Sequence, residues 1–416
     1  MQRVRMSLPY LREYGWDFEI VAVKSVYSKV TQELLLEKTV PESTLVHWVD
    51  ALSTKWVSKI GLGSIAIRSL WYYLITVNRL LKKKKFDLIY FSTTQFPVCI
   101  LGAYWKKKFG IQYVIDMQDP WHSDYYQDKP KAERPPKYWF SYRLNKWLEP
   151  IAMNSCDGII SVSLAYIHTL KERYPHIKNI PERVITFGAS LADQQIVQQF
   201  NHMIPSILPD DGFKKIVYIG RGGYDMHDAL RLLFTAFNKG LKEDHPLFSQ
   251  FKWYFMGTSY AAAGQGKPTI QPLAGEMGLE AYVLESTDRV PYFSVLKTLK
   301  KADVLVVPGS NHAAYTASKI FNYILAEKPL FCLFHPDSSV LSILKETNGG
   351  VALSFESKAT EIYATMQELL SKAVQGNFVS LMNKTAFNKY TDRQMTKEET
   401  NLFNQVIQPP VLSIHF

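Results

Sequence analysis

Short apolar runs alternate with stretches of helical periodicity along most of the 416-residue chain, the pattern of α/β layering around parallel sheets. In the first half, runs at residues 18–23, 45–49, 86–91, 111–115, 158–162 and 183–187 predict strands, with helical patterns between most of them. Runs at 214–220, 251–256, 282–284, 304–307 and 330–334 continue the alternation in the second half. Residues 192–213, with Pro205, Pro209, Asp210, Asp211 and Gly212, predict a crossing between two Rossmann-like domains. The chain opens differently: Val4, Leu8 and Leu11 share one helical face and Gly15 is placed as a stop. A doubly wound domain opens with a strand and a glycine-rich turn, and that strand is central in its sheet. The expectation is that the first domain lacks its first strand. Of a start upstream of Met1 and a rebuilt sheet, the first is favoured, because losing a central strand leaves two unpaired edges.

Ligands in such sheets lie beyond the carboxyl ends of the strands, which directs attention to the segments that follow them. Residues 214–237 read as a strand, a turn containing Arg221, Gly222 and Gly223, and a helix with Leu230, Leu233, Phe234 and Phe237 on one face. Two glycines after a strand let backbone N–H groups approach an anion, and Arg221 would supply the countercharge. An ordinary βα turn whose arginine pairs with a carboxylate fits the same residues. The second segment runs from the strand at 304–307 through Pro308, Gly309 and Ser310 to a helix expected to start near Thr316 or Ala317. Lys319 would then sit in the first helical turn, where the helix dipole disfavours a cation unless an anion shares the site. Thr316, Ser318 and free N–H groups would donate to that anion, with Lys319 as a point charge. Simple capping by Thr316 or Ser318, with a solvated Lys319, is the other reading.

At 47% hydrophobic, the chain has material for two domains of roughly 200 residues with ample cores. A net charge of +10 suits an anionic partner without choosing among nucleotide, nucleic acid and membrane. Cys99, Cys156 and Cys332 are widely spaced within apolar runs and read as buried free thiols in a reducing compartment, with no metal-binding spacing. The longest apolar stretch, residues 57–77, is broken by Lys59 and Arg68, too soon for a membrane-spanning helix. No signal peptide, internal repeat or low-complexity tract is evident.

The order of these segments carries a resemblance. The strand-Gly-Arg turn, the strand-Gly loop at 255–259, residues 285–292 (Glu-Ser-Thr-Asp-Arg-Val-Pro-Tyr), the Pro-Gly-Ser loop and Ser318-Lys319-Ile320 together are similar to the donor domain of retaining GT-B glycosyltransferases, in particular glycosyltransferase family 4. Gln118-Asp119-Pro120-Trp121 resembles the Arg-Asp-Pro-Trp variant of many members. The resemblance implies two Rossmann-like domains facing across a cleft: residues 1–200 for the acceptor, 201–389 for the donor, and 390–416 crossing back to the first. Arg221 and Lys319 would neutralise a donor diphosphate, and main-chain groups near Arg289 and Val290 would bind the base. The family's pair of glutamates falls on Ala314 and Asn322, so Asn311, His312 and the backbone near Ala313 become the candidates for orienting the donor sugar.

The implied activity is transfer of a hexose-type unit from a nucleoside diphosphate sugar to a glycan or lipid-linked acceptor, with retention and with neither metal nor cofactor. A sugar-nucleotide epimerase or hydrolase on the same fold, and a non-catalytic sugar-nucleotide-binding protein, are the alternatives. Asp119 and His122 follow a strand where an acceptor would lie and are the candidates to position or deprotonate its hydroxyl, although Asp119 before Pro120 can simply shape a turn and His122 beside Trp121 can be structural. Aromatics interleave with cations from Trp71 to the Lys82–Lys85 block and from Lys137 to Trp147, a composition suited to an anionic membrane surface as well as to core-facing helices with solvated ends. No nucleic-acid-binding module accompanies the charge. A cytoplasmic protein, peripheral at the inner face of the membrane, is expected.

Overall fold

The computed structural model describes residues 2–28, 33–54, 63–124, 127, 134, 138–312 and 318–408. The chain divides into two compact units, one of residues 1–187 and 392–416, the other of 188–391. Residues 188–200 therefore lie with the second unit rather than the first. Part of the expected crossing is helical: Leu191–Gln199 forms a helix whose N-cap, the Ser190 hydroxyl, accepts from the Asp193 N–H at 3.1 Å. The buried Asp193 carboxylate then accepts from the Tyr292 hydroxyl at 2.8 Å, and the Lys297 amine donates to the carbonyls of Asn201 and Ile204, both at 2.6 Å. These bonds hold the segment to the second unit.

In the first unit the strands are β1 (Glu19–Val23), β2 (Leu45–Val49), β3 (Leu88–Ser92), β4 (Gln112–Met117), β5 (Gly158–Ser161) and β6 (Glu182–Val184). All pair in parallel, but in two sheets, β1-β2 and β3-β4-β5-β6; β1 and β3 do not pair. Helices α1 (Gln2–Ser7), α2 (Ile65–Lys83), α3 (Ile100–Phe109) and α4 (Tyr138–Met153) come from the same unit. Trp105, Tyr113, Ile115, Leu148 and Ile159 fill the core on one side of the larger sheet, where α3 and α4 pack. Val114 and Ile160, one residue out of phase, face Leu402, Phe403 and Val406 of the C-terminal helix Asp392–Ile407. Gly158 is required by that approach, since a Cβ there would lie 2.7 Å from a Val406 methyl. Arg68, which interrupts the longest apolar stretch, is buried and gathers the carbonyls of Leu52, Tyr27 and Gly63.

The opening helix keeps only part of its predicted face. Leu8 is buried as expected, but so are Arg3, Met6 and Ser7, while Val4 and Leu11 are only half-buried, because Arg3 enters a polar network rather than an apolar core. Its Nε donates to Asp116 Oδ2 at 2.7 Å and lies 3.7 Å from Glu399 Oε1, and its Nη2 donates to the Ile185 carbonyl at 2.7 Å. Ser7 donates to Glu399 at 2.6 Å, Tyr90 donates to the same carboxyl at 3.4 Å, and Ser92 and Gln118 donate to Asp116 at 2.9 and 2.6 Å. Gly15 ends the turn after α1 at φ 82°, as its placement predicts.

The second unit holds β7 (Lys214–Ile219), β8 (Phe251–Met256), β9 (Val283–Ser286), β10 (Val304–Pro308), β11 (Leu330–Phe334) and β12 (Val351–Ser354), in the parallel order β12-β11-β10-β7-β8-β9. The chain builds outward from β7 in one direction, then crosses to β10 and builds the other way. That reversal between β7 and β10 is the switch point at which a doubly wound sheet opens a crevice. The helix His227–Glu243 buries Leu230, Leu233, Phe234 and Phe237 as its periodicity predicts. β12 is short and partly exposed, too weak a pattern to be read as a strand. All three cysteines are buried and unpaired, and no helix among the described residues is long and apolar enough to cross a membrane.

Two carboxylates against one guanidinium leave the Arg3 network with a surplus negative charge. Burial, against the opposing pull of Arg3, raises the Glu399 pKa to about 7. A raised native pKa favours the protonated carboxyl, so this contribution to stability is full below about 4.5, the ordinary value, and is lost as pH rises through about 7. We predict that Glu399→Gln flattens the decline in melting temperature between about pH 5 and about pH 8. An unchanged decline in that variant would show that Glu399 does not titrate in this window.

Candidate functional site

At the switch point, the carboxyl ends of β7 and β10 bring together Tyr218, Gly220, Arg221, Asp225, Ser310 and Lys319. Lys319 is half-buried as a residue, but its amine is turned inward. Nζ donates to the Tyr218 hydroxyl at 2.7 Å and lies 4.6 Å from the centre of that ring. The hydroxyl in turn donates to the Arg221 carbonyl at 2.8 Å, fixing the start of the turn. Gly220 makes room for the lysine: its φ is 149°, and a Cβ there would lie 2.0 Å from Nζ. Tyr323 closes the other side, accepting from the Ile219 N–H at 2.6 Å and donating to the Ile219 carbonyl at 3.1 Å.

Arg221 does pair with a carboxylate. Its two terminal nitrogens donate to Asp225 at 2.9 and 2.6 Å, a bidentate arrangement. That pairing, against the opposing effect of burial and with further help from the Ser310 hydroxyl, lowers the Asp225 pKa to about 2. The Asn311 N–H bonds to the Asp225 carbonyl at 2.8 Å, joining the two loops. Asp225 answers the charge of Arg221, whereas among the described residues no carboxylate pairs with Lys319. Enclosure of the amine and the nearby positive charge of Arg221 bring the Lys319 pKa down to about 7.

Two expectations change in detail. The Gly222 N–H is not free for an anion, since it donates to the Thr258 carbonyl at 2.8 Å, and Gly222 is packed against Thr258 and Ile270. Gly223 is extended at φ 175°, and its missing Cβ leaves space for the Arg221–Asp225 pair. The helix after the Pro-Gly-Ser loop is the six-residue Ile320–Leu325, with Lys319 as its N-cap and Ser318 in the preceding turn. Thr316, with Ala313 and Ala314, lies outside the described residues. Asn311 and His312 are exposed at the mouth of this loop, with the His312 N–H on the Ser310 hydroxyl at 3.2 Å.

The neighbouring loops are laced along the same edge. The Gly257 N–H donates to the Ser286 carbonyl at 2.8 Å, and the Ser259 N–H to the Thr287 carbonyl at 3.0 Å. Glu285 accepts from the Thr258 hydroxyl at 2.6 Å and from the N–H groups of Thr269, Ile270 and Gln271 at 3.2, 2.8 and 2.8 Å. This one carboxylate ties β9 and the β8 loop to the start of the helix Ile270–Glu276. Val290 stands 3.6 Å from the position of a Cβ on Gly257, and the exposed Arg289 lies 5.1 Å from the Tyr260 ring. Sequence reading passed over Tyr218 and gave Gly220 and Glu285 no role of their own: a tyrosine inside an apolar strand reads as core, and a glycine ending a strand reads as punctuation.

Asp119 and His122 belong to the first unit, in the loop after β4. Trp121 anchors that loop, stacked on Phe96 at 5.5 Å with its indole N–H on Asn145 at 3.2 Å. Asp119 is exposed, although partial burial of its carboxyl raises its pKa. The buried Glu149 accepts the His122 N–H at 2.9 Å and the Tyr174 hydroxyl at 2.9 Å, and pairs with Arg173. The His122 ring is buried against Tyr142, 4.7 Å away; burial first and Arg173 second lower its pKa, and its Nε2 has no hydrogen-bond partner among the described residues.

No described protein family matches the sequence, and no curated protein does. Solved structures do match. HepE from Anabaena, in complex with UDP and glucose, superposes with a TM-score of 0.55 at 12% identity, over 97% of this chain and 95% of that one. A glycosyltransferase from Rickettsia africae gives 0.54 at 10% identity, over 98% and 94%. The UDP-forming α,α-trehalose-phosphate synthase of Burkholderia xenovorans gives 0.53 at 12%, over 89% and 90%. The chain has the GT-B glycosyltransferase fold, built from two Rossmann-like domains.

A native Lys319 pKa depressed to about 7 from an ordinary 10.5 lends stability that is complete above 10.5 and lost as pH falls toward 7. Lys319→Met should therefore raise the melting temperature at about pH 7, with a gain that shrinks toward about pH 10. A gain independent of pH would contradict the depressed pKa.

Proposed function

We propose that the protein transfers a glycosyl unit from a nucleoside diphosphate sugar to a glycan or lipid-linked acceptor with retention of configuration. The observation that carries this reading is the closeness of two cations, Arg221 and Lys319, at the switch point of a GT-B fold's second Rossmann-like unit. Phosphate oxygens entering there would share the Arg221 fork with Asp225 and draw out the Lys319 amine. A departing diphosphate gains negative charge in the transition state, so cations already in place lower its energy without reorganising. The base would lie against the Gly257–Val290 edge beside Arg289, and the sugar near Asn311, His312 and Ala313. HepE, solved with UDP and glucose, makes a uridine nucleotide the first donor to test. Asp119 is the stronger candidate to steer an acceptor hydroxyl, because it is exposed while the His122 ring is buried.

An incoming diphosphate restores charge to Lys319, so binding takes up a proton. Calorimetry with UDP-glucose and other nucleoside diphosphate sugars, in two buffers of different ionisation enthalpy, should show that uptake at about pH 7.5 and weaker affinity at higher pH. Lys319→Met should abolish the uptake, and Arg221→Ala should weaken binding by roughly ten- to a hundredfold, the worth of a charge-assisted hydrogen bond. If none of the sugar nucleotides binds, the transferase reading fails. Binding without product formation across an acceptor panel would favour the non-catalytic alternative, and the anomeric configuration of any product tests retention.

A further inference from the structure

Helix α3 packs on both α2 and α4, so the three form a continuous layer in the first unit. The outward side of α2 carries Trp71, 64% exposed, and Ile75, then Arg79 and Lys83, each one helical turn further along. Helix α3 adds exposed Tyr104, Lys107 and Lys108. Helix α4 exposes Trp139 and Trp147 at 65% and 66%, with Arg143 between them and Lys146 beside them. The Arg143 guanidinium lies 5.8 Å from the Trp139 ring.

None of these helices contains an aspartate, and their only glutamate, Glu149, is buried and bonded to Arg173, Tyr174 and the His122 N–H. Elsewhere several exposed cations are answered by carboxylates, as in Arg231–Glu276, Lys372–Glu368 and Lys389–Glu346. Among the described residues, Arg79, Lys83, Lys107 and Arg143 on this layer have no such partner, and Lys146 has only the longer-range attraction of Asp124. A single exposed tryptophan needs no explanation. Three on one cationic layer whose helices carry no exposed carboxylate match a surface that is anionic at its headgroups and apolar just beneath, where indoles settle and lysines meet phosphates. Nucleic acid fits less well, because stacking on bases calls for a basic groove rather than the outward sides of helices.

We propose that this three-helix layer docks the protein on an anionic lipid bilayer, with Trp71, Trp139 and Trp147 at headgroup depth and the flanking lysines and arginines on lipid phosphates. Docking needs no sugar nucleotide, so it stands or falls separately from the transfer reading. The test is co-sedimentation of the full chain with phosphatidylcholine vesicles, with mixed phosphatidylcholine and phosphatidylglycerol vesicles, and with vesicle-free single-stranded RNA as competitor. Binding is expected on the mixed vesicles only, weakening with salt. The combined K83Q, K107Q and K146Q variant should partition about tenfold less or worse, given the contribution of each basic residue near a charged surface. W139S with W147S, changes at exposed positions, should reduce binding without lowering the melting temperature. Equal binding to both vesicle types, wild-type partition by both variants, or binding to RNA alone would overturn the proposal.

Discussion

The second unit is organised around the inward amine of Lys319. An ammonium turned away from water beside an arginine is costly unless its surroundings compensate. Tyr218 supplies a hydroxyl and a ring face, Gly220 supplies space, and Asp225 ties down the competing charge of Arg221. Compensation remains incomplete, which is why the amine loses its proton near pH 7 rather than at 10.5. Because Arg221 and Asp225 cancel, the net charge at this point of the sheet is set by one titrating lysine.

That dependence reaches into neighbouring loops. Asp225 is held by Ser310 and by the Asn311 N–H, so the loop after β10 is positioned by the turn after β7. Gly222 hands the same order to Thr258, and Glu285 on β9 passes it to the start of the helix Ile270–Glu276. The glycines at 222 and 223 thus serve loop packing and the arginine pair. Gly220 is the position where a side chain would collide with the lysine itself.

The succession of strands and helices along the chain was legible because buried parallel strands must be apolar on both faces, and their spacing leaves room for one helix each; the place of residues 188–200 in the second unit was not. Arg221 and Lys319 could be singled out by chemistry and by their place after strands. Their partners could not. Tyr218, Tyr323 and Glu285 act through distances across the sheet, between residues far apart in the chain, and no local pattern marks such a tyrosine apart from a core one. The face of α1 was misread in part for a related reason: Leu8 is buried as its pattern indicates, but burial of Arg3 depends on Asp116 and Glu399, far away in sequence.

Both units bury unbalanced charge, and they resolve it differently. In the first, Arg3 faces Asp116 and Glu399 in a network fully enclosed by β3, β4, α1 and the C-terminal helix. Its surplus is negative and no outside cation can reach it, so a proton on Glu399 restores the balance. In the second, the surplus is positive and lies at the carboxyl edge of the sheet, beside exposed Asn311 and His312. A lost proton removes that surplus in the free protein, whereas an arriving anion would remove it by pairing. Enclosed imbalance can only be a matter of stability. The imbalance at the β7–β10 edge is the one that a ligand can settle, and this separates a candidate binding site from a structural network of similar composition.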